Sequence, residues 1–179
     1  GQFTPEIEVY SIDEAFLNLA GLPVNLKEYA EEIRQTVFRN IGIPVGVGIG
    51  PTKVLAKAAN HHAKKGQGVC VLDSQAKIKD TLRSFDINEV WGIGRQYAKM
   101  LKSYGINTAF DFMKMDDDWI RKRMTVVGLG VKKELEGVSC LEMELIPSAK
   151  KMICVSRSFG ESQTEIEPIQ EAIATFTAR

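Results

Sequence analysis

The stretch Glu8-Val9-Tyr10-Ser11-Ile12-Asp13-Glu14-Ala15-Phe16-Leu17-Asn18-Leu19 places two acids side by side within an apolar, partly alternating run. Alternation is typical of a strand with one buried face, and buried carboxylates are costly unless they are paired or hold a metal ion. We therefore interpret the stretch as a strand that uses Asp13 and Glu14, although such pairs also mark solvated turns. Because successive strand side chains point to opposite faces, both acids can reach one ion only at a bulge or strand end.

The composition is that of an ordinary globular protein. The chain has 179 residues, 44% hydrophobic and 26% charged, which suffices for one or two modest cores. Its 23 Lys and Arg equal its 23 Asp and Glu, so a nucleic-acid surface would have to be a local basic patch. Cys70, Cys140 and Cys154 are odd in number and far apart, which favours a reducing cytoplasm over a disulfide framework or zinc site. No apolar run approaches a membrane span, so we expect no membrane partner.

A glycine-lined strand is predicted over Ile43–Gly50. Val45, Val47 and Ile49 alternate there with glycines, which leaves one face bare. A bare face indicates that something approaches closely, either the preceding helix, which begins after Asn25, or a substrate.

A helix carrying three lysines follows the glycine-lined strand. It opens at Gly50-Pro51-Thr52 and runs to about Lys64. Lys53, Lys57 and Lys64 fall within about 40° of one another on an ideal helix, so they form a cationic stripe. Without other context, such a stripe is most often a solvated face. A short buried strand is predicted next, over Val69–Leu72.

From Ser74 to about Gly137 the pattern changes to short helices and turns. Within it, Gly92-Ile93-Gly94 joins a short helix to a longer one, in a pattern that resembles a helix-hairpin-helix motif. Its glycines let backbone N–H groups at a helix N-terminus face a phosphate, and nearby basic side chains supply charge. The alternative is an ordinary turn between packed helices. The basic residues concerned are Arg95, Lys99 and Lys102.

The remaining pattern predicts three further helices and one strand. Two of the helices lie near Asp117–Met124 and Val131–Glu136, and a linker follows. A strand is predicted over Met152–Gly160 and a helix from Pro168, as the start of a third unit.

Four motifs in order resemble the Y-family translesion DNA polymerases, most closely the UmuC-like branch of the DNA polymerase V catalytic subunit. Tyr10–Leu17 is similar to the second palm motif, and Gly48–Asn60 to the palm lysine helix. Val90–Gly94 resembles the thumb hairpin, and Ser156–Gly160 the beginning of the little finger.

The resemblance implies roles for the acids, lysines and hairpin. Asp13 would bind catalytic Mg²⁺ in a two-ion site, and Glu14 would be a second ligand or a close neighbour. Lys64 would contact the incoming triphosphate, with Lys53 and Lys57 near the same site. The hairpin residues Gly92, Ile93, Gly94, Arg95, Lys99 and Lys102 would hold primer-strand phosphates.

The same resemblance implies an α+β architecture in three parts. Residues 1–73 would be a partial palm with a largely antiparallel sheet, 74–142 a helical thumb, and 143–179 a linker and the start of the little finger. The family has an earlier palm strand with another metal-binding aspartate, and a fingers domain, which normally precede the position of Gly1. We therefore expect a polymerase fragment that is inactive by itself.

The implied partners are primer–template DNA and dNTP, with a UmuD-type accessory protein and a recombinase filament for the UmuC-like branch. A competing hypothesis is a non-catalytic helix-hairpin-helix DNA-binding module in which the acids are structural. Another palm-like Mg²⁺ enzyme, such as a cyclase, would leave the hairpin unexplained. Convergence of Asp13 and Lys64 favours the polymerase, whereas a turn position for Asp13 away from the lysines favours the module.

Overall fold

A computed structural model describes residues 2–146, 152, 154 and 156–177. The chain divides into two compact units, residues 1–145 and 146–179. The first unit combines small sheets with helices, so the predicted α+β class is confirmed. In the part of the chain that the structure describes, every helix is too short or too polar to cross a bilayer.

The acidic stretch forms a β-hairpin, and its interpretation as one continuous strand is wrong. Strand β1 (Ile7–Val9) pairs antiparallel with β2 (Ala15–Leu17), and the acids lie in the turn between them. The backbone N–H groups of Tyr10 and Ser11 both donate to the carbonyl of Glu14, each at 3.0 Å. These bonds close the turn, so the apolar alternation continues across a reversal of chain direction.

A β-α-β unit holds the lysine helix. Helix α1 (Leu26–Ile41) leads to β3 (Val47–Ile49), and helix α2 (Lys53–Lys65) connects β3 to β4 (Val69–Val71). Strands β3 and β4 are parallel, because a helix crosses between them. The antiparallel sheet that was predicted is therefore found only in β1 and β2 among the described residues.

The bare face of β3 is covered by helix α2. A Cβ at Gly48 would overlap the backbone of Asn60, and a Cβ at Gly46 would lie 2.8 Å from the Asn60 side-chain oxygen. The close neighbour is thus the following helix, and the prediction of the preceding helix or a substrate is wrong for these positions. Thr52 caps α2, so Pro51 lies two positions before the first helical residue and not at that first position, where it was predicted.

A block of short helices completes the first unit. They are α3 (Gln75–Ser84), a 3₁₀ helix (Ile87–Glu89), α4 (Arg95–Ser103), α5 (Ala109–Met113) and α6 (Asp117–Glu136). One continuous apolar core joins these helices to α2. Its fully buried members include Val54, Leu55, Leu82, Ile87, Leu101, Phe112, Ile120, Met124 and Leu135.

Helix α6 is broken at Thr125, where the backbone has φ 62° and ψ −167°. Lys133 Nζ lies 3.1 Å from Asp117 Oδ2, whereas a straight helix would separate these residues by about 24 Å. The chain therefore reverses at Thr125, and the prediction of two helices in this region is confirmed. The second begins nearer Thr125 than the predicted Val131.

The second unit contains helix α7 (Ile166–Thr177), which begins two residues before the predicted start at Pro168. The strand predicted over Met152–Gly160 lies partly outside the described residues. Its described part, including Ser156–Phe159, is neither helix nor strand.

Candidate active site

The hairpin turn places Glu14 against the lysine helix. Lys57 Nζ lies 2.7 Å from Glu14 Oε2, and Lys64 Nζ lies 3.9 Å from Glu14 Oε1. The side chains of Glu14 and Lys57 are about one quarter exposed, and that of Lys64 is 59% exposed. Two of the three predicted lysines thus converge on one of the predicted acids, at a surface open to solvent.

Asp13 lies in the same turn, with its side chain exposed. Ser11 Oγ donates to Asp13 Oδ1 at 2.7 Å, and this bond is the main reason that the pKa of Asp13 is lowered. The positive charges of Lys64 and Lys57 lower the pKa further. Asp13 is therefore a turn residue, but one within the field of the lysines.

Lys53 makes a different set of contacts from the other two lysines. Its ammonium forms an ion pair with Glu8 of β1, donates to the carbonyl of Glu142 at 2.6 Å, and lies 5.2 Å from the centre of the Phe16 ring. The Lys53 side chain is only 11% exposed. Lys53 therefore connects the start of α2 to strand β1.

Glu8 is a site residue that sequence reasoning missed. Burial alone would raise its pKa, but hydrogen bonds from Lys53 and from the backbone N–H of Glu144 outweigh burial, so the pKa is lowered. The available signal was an acid beside Val9 in an otherwise apolar strand.

An aromatic cluster joins the acidic hairpin to the glycine turn. Trp91 Nε1 donates to the hydroxyl of Tyr10 at 3.0 Å, and the two rings meet edge to face with centroids 5.4 Å apart. Phe16 completes the cluster, with its centroid 5.6 Å from that of Trp91. The tryptophan that precedes the glycine turn thus connects it to the strand that follows Asp13 and Glu14.

The turn itself is Gly92-Ile93-Gly94. Gly92 has φ 93°, and a Cβ there would also lie 2.6 Å from a methyl group of Val131, so two constraints require glycine. Ile93 is buried, and Gly94 is the N-cap residue of α4. This arrangement places the N-terminus of α4 at the surface.

The basic residues of α4 differ in their surroundings. Arg95 and Lys99 are exposed. Lys102 is partly buried, and its Nζ lies 3.0 Å from Asp86 Oδ2. Arg95 and Lys99 are therefore better placed than Lys102 to meet a ligand.

The β-hairpin turn offers carboxylate oxygens as possible metal ligands. Carboxylate oxygens suit Mg²⁺, and Asp13 presents an exposed carboxylate of lowered pKa. Both oxygens of Glu14 face lysines instead. Across residues 2–146, 152, 154 and 156–177, no three His, Cys, Asp or Glu side chains cluster to hold an ion. Of the two acids in the turn, Asp13 therefore offers the more accessible carboxylate.

Comparisons with known proteins agree with the motifs. A model of the impB/mucB/samB family matches residues 1–61. Protein UmuC of Salmonella typhimurium is 41% identical over an alignment of 184 positions, which covers 99% of this chain and 44% of that protein.

Solved structures agree with the fold. A DinB family error-prone DNA polymerase from Sulfolobus solfataricus superposes with a TM-score of 0.64 and 28% identity, over 82% of this chain and 43% of that one. The insertion ternary complex of Dbh DNA polymerase superposes with a TM-score of 0.60 and 30% identity, over 75% of this chain and 41% of that one. The chain thus spans less than half the length of these relatives. Over the length it spans, it is similar to UmuC and to DinB-type DNA polymerases.

Proposed function

We propose that the chain is part of a translesion DNA polymerase that transfers a nucleotidyl group to a primer 3′-hydroxyl. The observation that carries the proposal is the convergence of Lys57 and Lys64 on the turn that holds Asp13 and Glu14. An exposed acid beside two cationic groups suits a metal-bound triphosphate. The homology to UmuC and to DNA polymerases supports the same reaction.

The side chains of the site would have different roles in binding metal and triphosphate. Asp13 would hold Mg²⁺ together with acids beyond those described, and Glu14 would be a ligand or a close neighbour. When bound, the ions supply polarisation of the attacking hydroxyl and stabilisation of the leaving pyrophosphate. Lys64, which is the most exposed of the three lysines, would bind triphosphate oxygens, and Lys57 would join it by leaving Glu14. Lys53 lies near the same site but would chiefly keep α2 in place.

The hairpin at Gly92–Gly94 would hold DNA by its phosphates. The N-terminus of α4 offers backbone N–H groups, and Arg95 and Lys99 offer exposed charge. Such contacts position a duplex without reading its bases. Lys102 would contribute only where DNA competes successfully with Asp86.

The finer organisation follows from the same proposal. Residues 1–73 would be palm, 74–142 thumb with a helix-hairpin-helix motif, and 143–179 a linker and the start of the little finger. Primer–template DNA and dNTP would be the ligands, a UmuD-type protein and a recombinase filament the partners, and the cytoplasm the location. The module hypothesis accounts for the hairpin but gives no reason for lysines to gather at Asp13 and Glu14.

Primer extension tests the proposal. The complete gene product, supplied with Mg²⁺, primed template and four dNTPs, should extend the primer, and Asp13→Ala should abolish extension. Asp80→Ala, which removes an exposed aspartate of α3, is the matched control and should extend normally. Failure of the wild-type product to extend, or full activity of Asp13→Ala, would refute the assignment. The 179-residue chain alone should incorporate nothing.

A further inference from the structure

Glu134 of α6 is a fully buried carboxylate that accepts three backbone hydrogen bonds. Its Oε1 accepts from the N–H groups of Cys140 at 2.6 Å and Leu141 at 3.0 Å, and its Oε2 accepts from Val54 N–H at 3.2 Å. A buried carboxylate is tolerated only when its oxygens are bonded in this way. Glu134 therefore joins three segments of the chain at one point.

One of the three segments is the start of the lysine helix. Val54 N–H belongs to the first turn of α2, where backbone donors have no partner within the helix. A negative group is also favoured there by the helix dipole. Thr52, the N-cap residue, donates its hydroxyl to the backbone carbonyl of Glu134 at 2.8 Å. Both the side chain and the backbone of Glu134 are thus hydrogen-bonded to the N-terminus of α2.

The segment Cys140–Glu144, which we term the strap, continues from Glu134 to the acidic hairpin. The Glu142 carbonyl accepts from Lys53 at 2.6 Å, and the N–H of Glu144 donates to Glu8 at 2.8 Å. Lys53 and Glu8 are themselves an ion pair. The strap therefore runs across the start of α2 and ends on strand β1, which leads into the turn at Asp13.

We propose that Glu134 is a positioning residue for nucleotide binding, because it fixes the start of α2 against α6 and the strap. This inference rests on the proposed function. A helix moves as a stiff rod, so displacement at Val54 carries Lys57 and Lys64, about 4.5 and 15 Å along the axis, with it. Their distance from Asp13 and Glu14 then depends on a residue that touches neither acid nor lysine.

The substitution Glu134→Gln isolates this effect. It keeps the shape but turns one acceptor oxygen into an N–H donor, which must face Val54 N–H or the two strap N–H groups. Misplacement of a binding group is costly, so we expect the KM for dNTP to rise about tenfold in the complete gene product. Affinity for primed DNA should be unchanged. Rates are normalised to the concentration of active enzyme, which is taken from the burst amplitude. A variant that folds less completely is then not mistaken for one with altered binding.

Glu136→Gln is the matched control. Glu136 lies on the same helix but pairs with Lys132 and Lys133, so its substitution should leave the dNTP KM at the wild-type value. If Glu134→Gln fails to fold, Thr52→Val removes the other bond to Glu134 and should raise the same KM, whereas Thr52→Ser should restore it. A wild-type KM in Glu134→Gln or Thr52→Val, with only stability lowered, would overturn the proposal.

A second measurement does not require catalysis. In the 179-residue chain, nuclear Overhauser contacts between the side chains of Lys57 and Glu14 report whether α2 meets the β-hairpin turn. Glu134→Gln should weaken or remove these contacts by displacing the start of α2, and Glu136→Gln should leave them at the wild-type intensity. If the wild-type gene product extends no primer, the proposed function fails while these contacts still decide whether Glu134 positions the lysine helix. Unchanged contacts in Glu134→Gln would overturn the positioning role.

Discussion

At the scale of single residues, the Asp13 carboxyl is governed more by its own turn than by the lysines. The hydroxyl of Ser11 contributes most to lowering its pKa. Ser11→Ala should therefore raise the pKa of Asp13 towards its ordinary value, as measured by NMR titration of that carboxyl. Ser103→Ala, which removes a hydroxyl bonded to Met100 of α4, is the control and should leave the pKa in place. An unchanged Asp13 titration in Ser11→Ala would contradict this account.

The direction of this pKa shift also sets a pH dependence. Because the pKa of Asp13 is lower in the folded chain than in the unfolded chain, its ionised form favours folding. That contribution is complete above the ordinary aspartate pKa and is lost as the pH falls through the folded value. In Ser11→Ala, less stability should be lost over this acid range.

The ion pair of Glu8 and Lys53 is a residue-scale feature on which stability depends. Each side chain is about one tenth exposed, so removing one partner leaves a poorly solvated charge. Glu8→Gln should lower the free energy of unfolding by about 3 kcal/mol at neutral pH, measured in urea. The double variant Glu8→Gln with Lys53→Met removes both charges and should recover much of the loss. A double variant that is less stable than Glu8→Gln would show that the ion pair is not the cause.

At the scale of elements, the contact between β3 and α2 requires a strand without a side chain at Gly48. A Cβ there meets backbone atoms of Asn60, which cannot move aside as a flexible side chain would. Gly48→Ala should therefore cost about 3 kcal/mol or prevent folding, measured by thermal or urea unfolding. Gly130→Ala is the control, because a Cβ at Gly130 meets nothing within 4 Å. Equal stability of the two variants would be incompatible with this packing.

The reversal within α6 depends on Thr125, which has a backbone conformation that glycine adopts far more readily. Thr125→Gly should raise the free energy of unfolding by about 1 kcal/mol, because it relieves this strain. The same substitution at Thr81, inside α3, should lower it by about 1 kcal/mol, since glycine is a poor helix former. Loss of stability in both variants would show that Thr125 is not strained.

Elements with local signals were predictable from sequence, and contacts between distant elements were not. Asn25 begins α1 as predicted, because capping depends on neighbouring residues. The hairpin at Asp13 was mistaken for a strand, since apolar alternation does not reveal where a chain reverses. Glu134 gave no signal, because its bond to Val54 spans 80 positions of sequence. The meeting of the lysines with Glu14 was expected only through the family resemblance.

At the scale of the whole molecule, a net charge of zero means that DNA affinity would come from a few local contacts. Among the described residues of α4, the exposed positive charges next to the glycine turn are those of Arg95 and Lys99, since Lys102 is paired with Asp86. Each phosphate contact releases condensed counterions, so binding should weaken as salt rises. We therefore expect the slope of log K against log salt to depend on the phosphate contacts made at the glycine turn.

Charge reversal at Lys99 tests this expectation in the complete gene product. Lys99→Glu should weaken binding to duplexes of different sequence by a similar factor, and should reduce the slope of log K against log salt by about one. Lys102→Glu should also weaken binding, but it places a second acid beside Asp86, so its unfolding must be measured in parallel. Lys79→Glu makes the same charge change on an exposed position of α3. If Lys79→Glu and Lys99→Glu reduce the slope equally, the weakening comes from the change in total charge. The glycine turn then holds no phosphate.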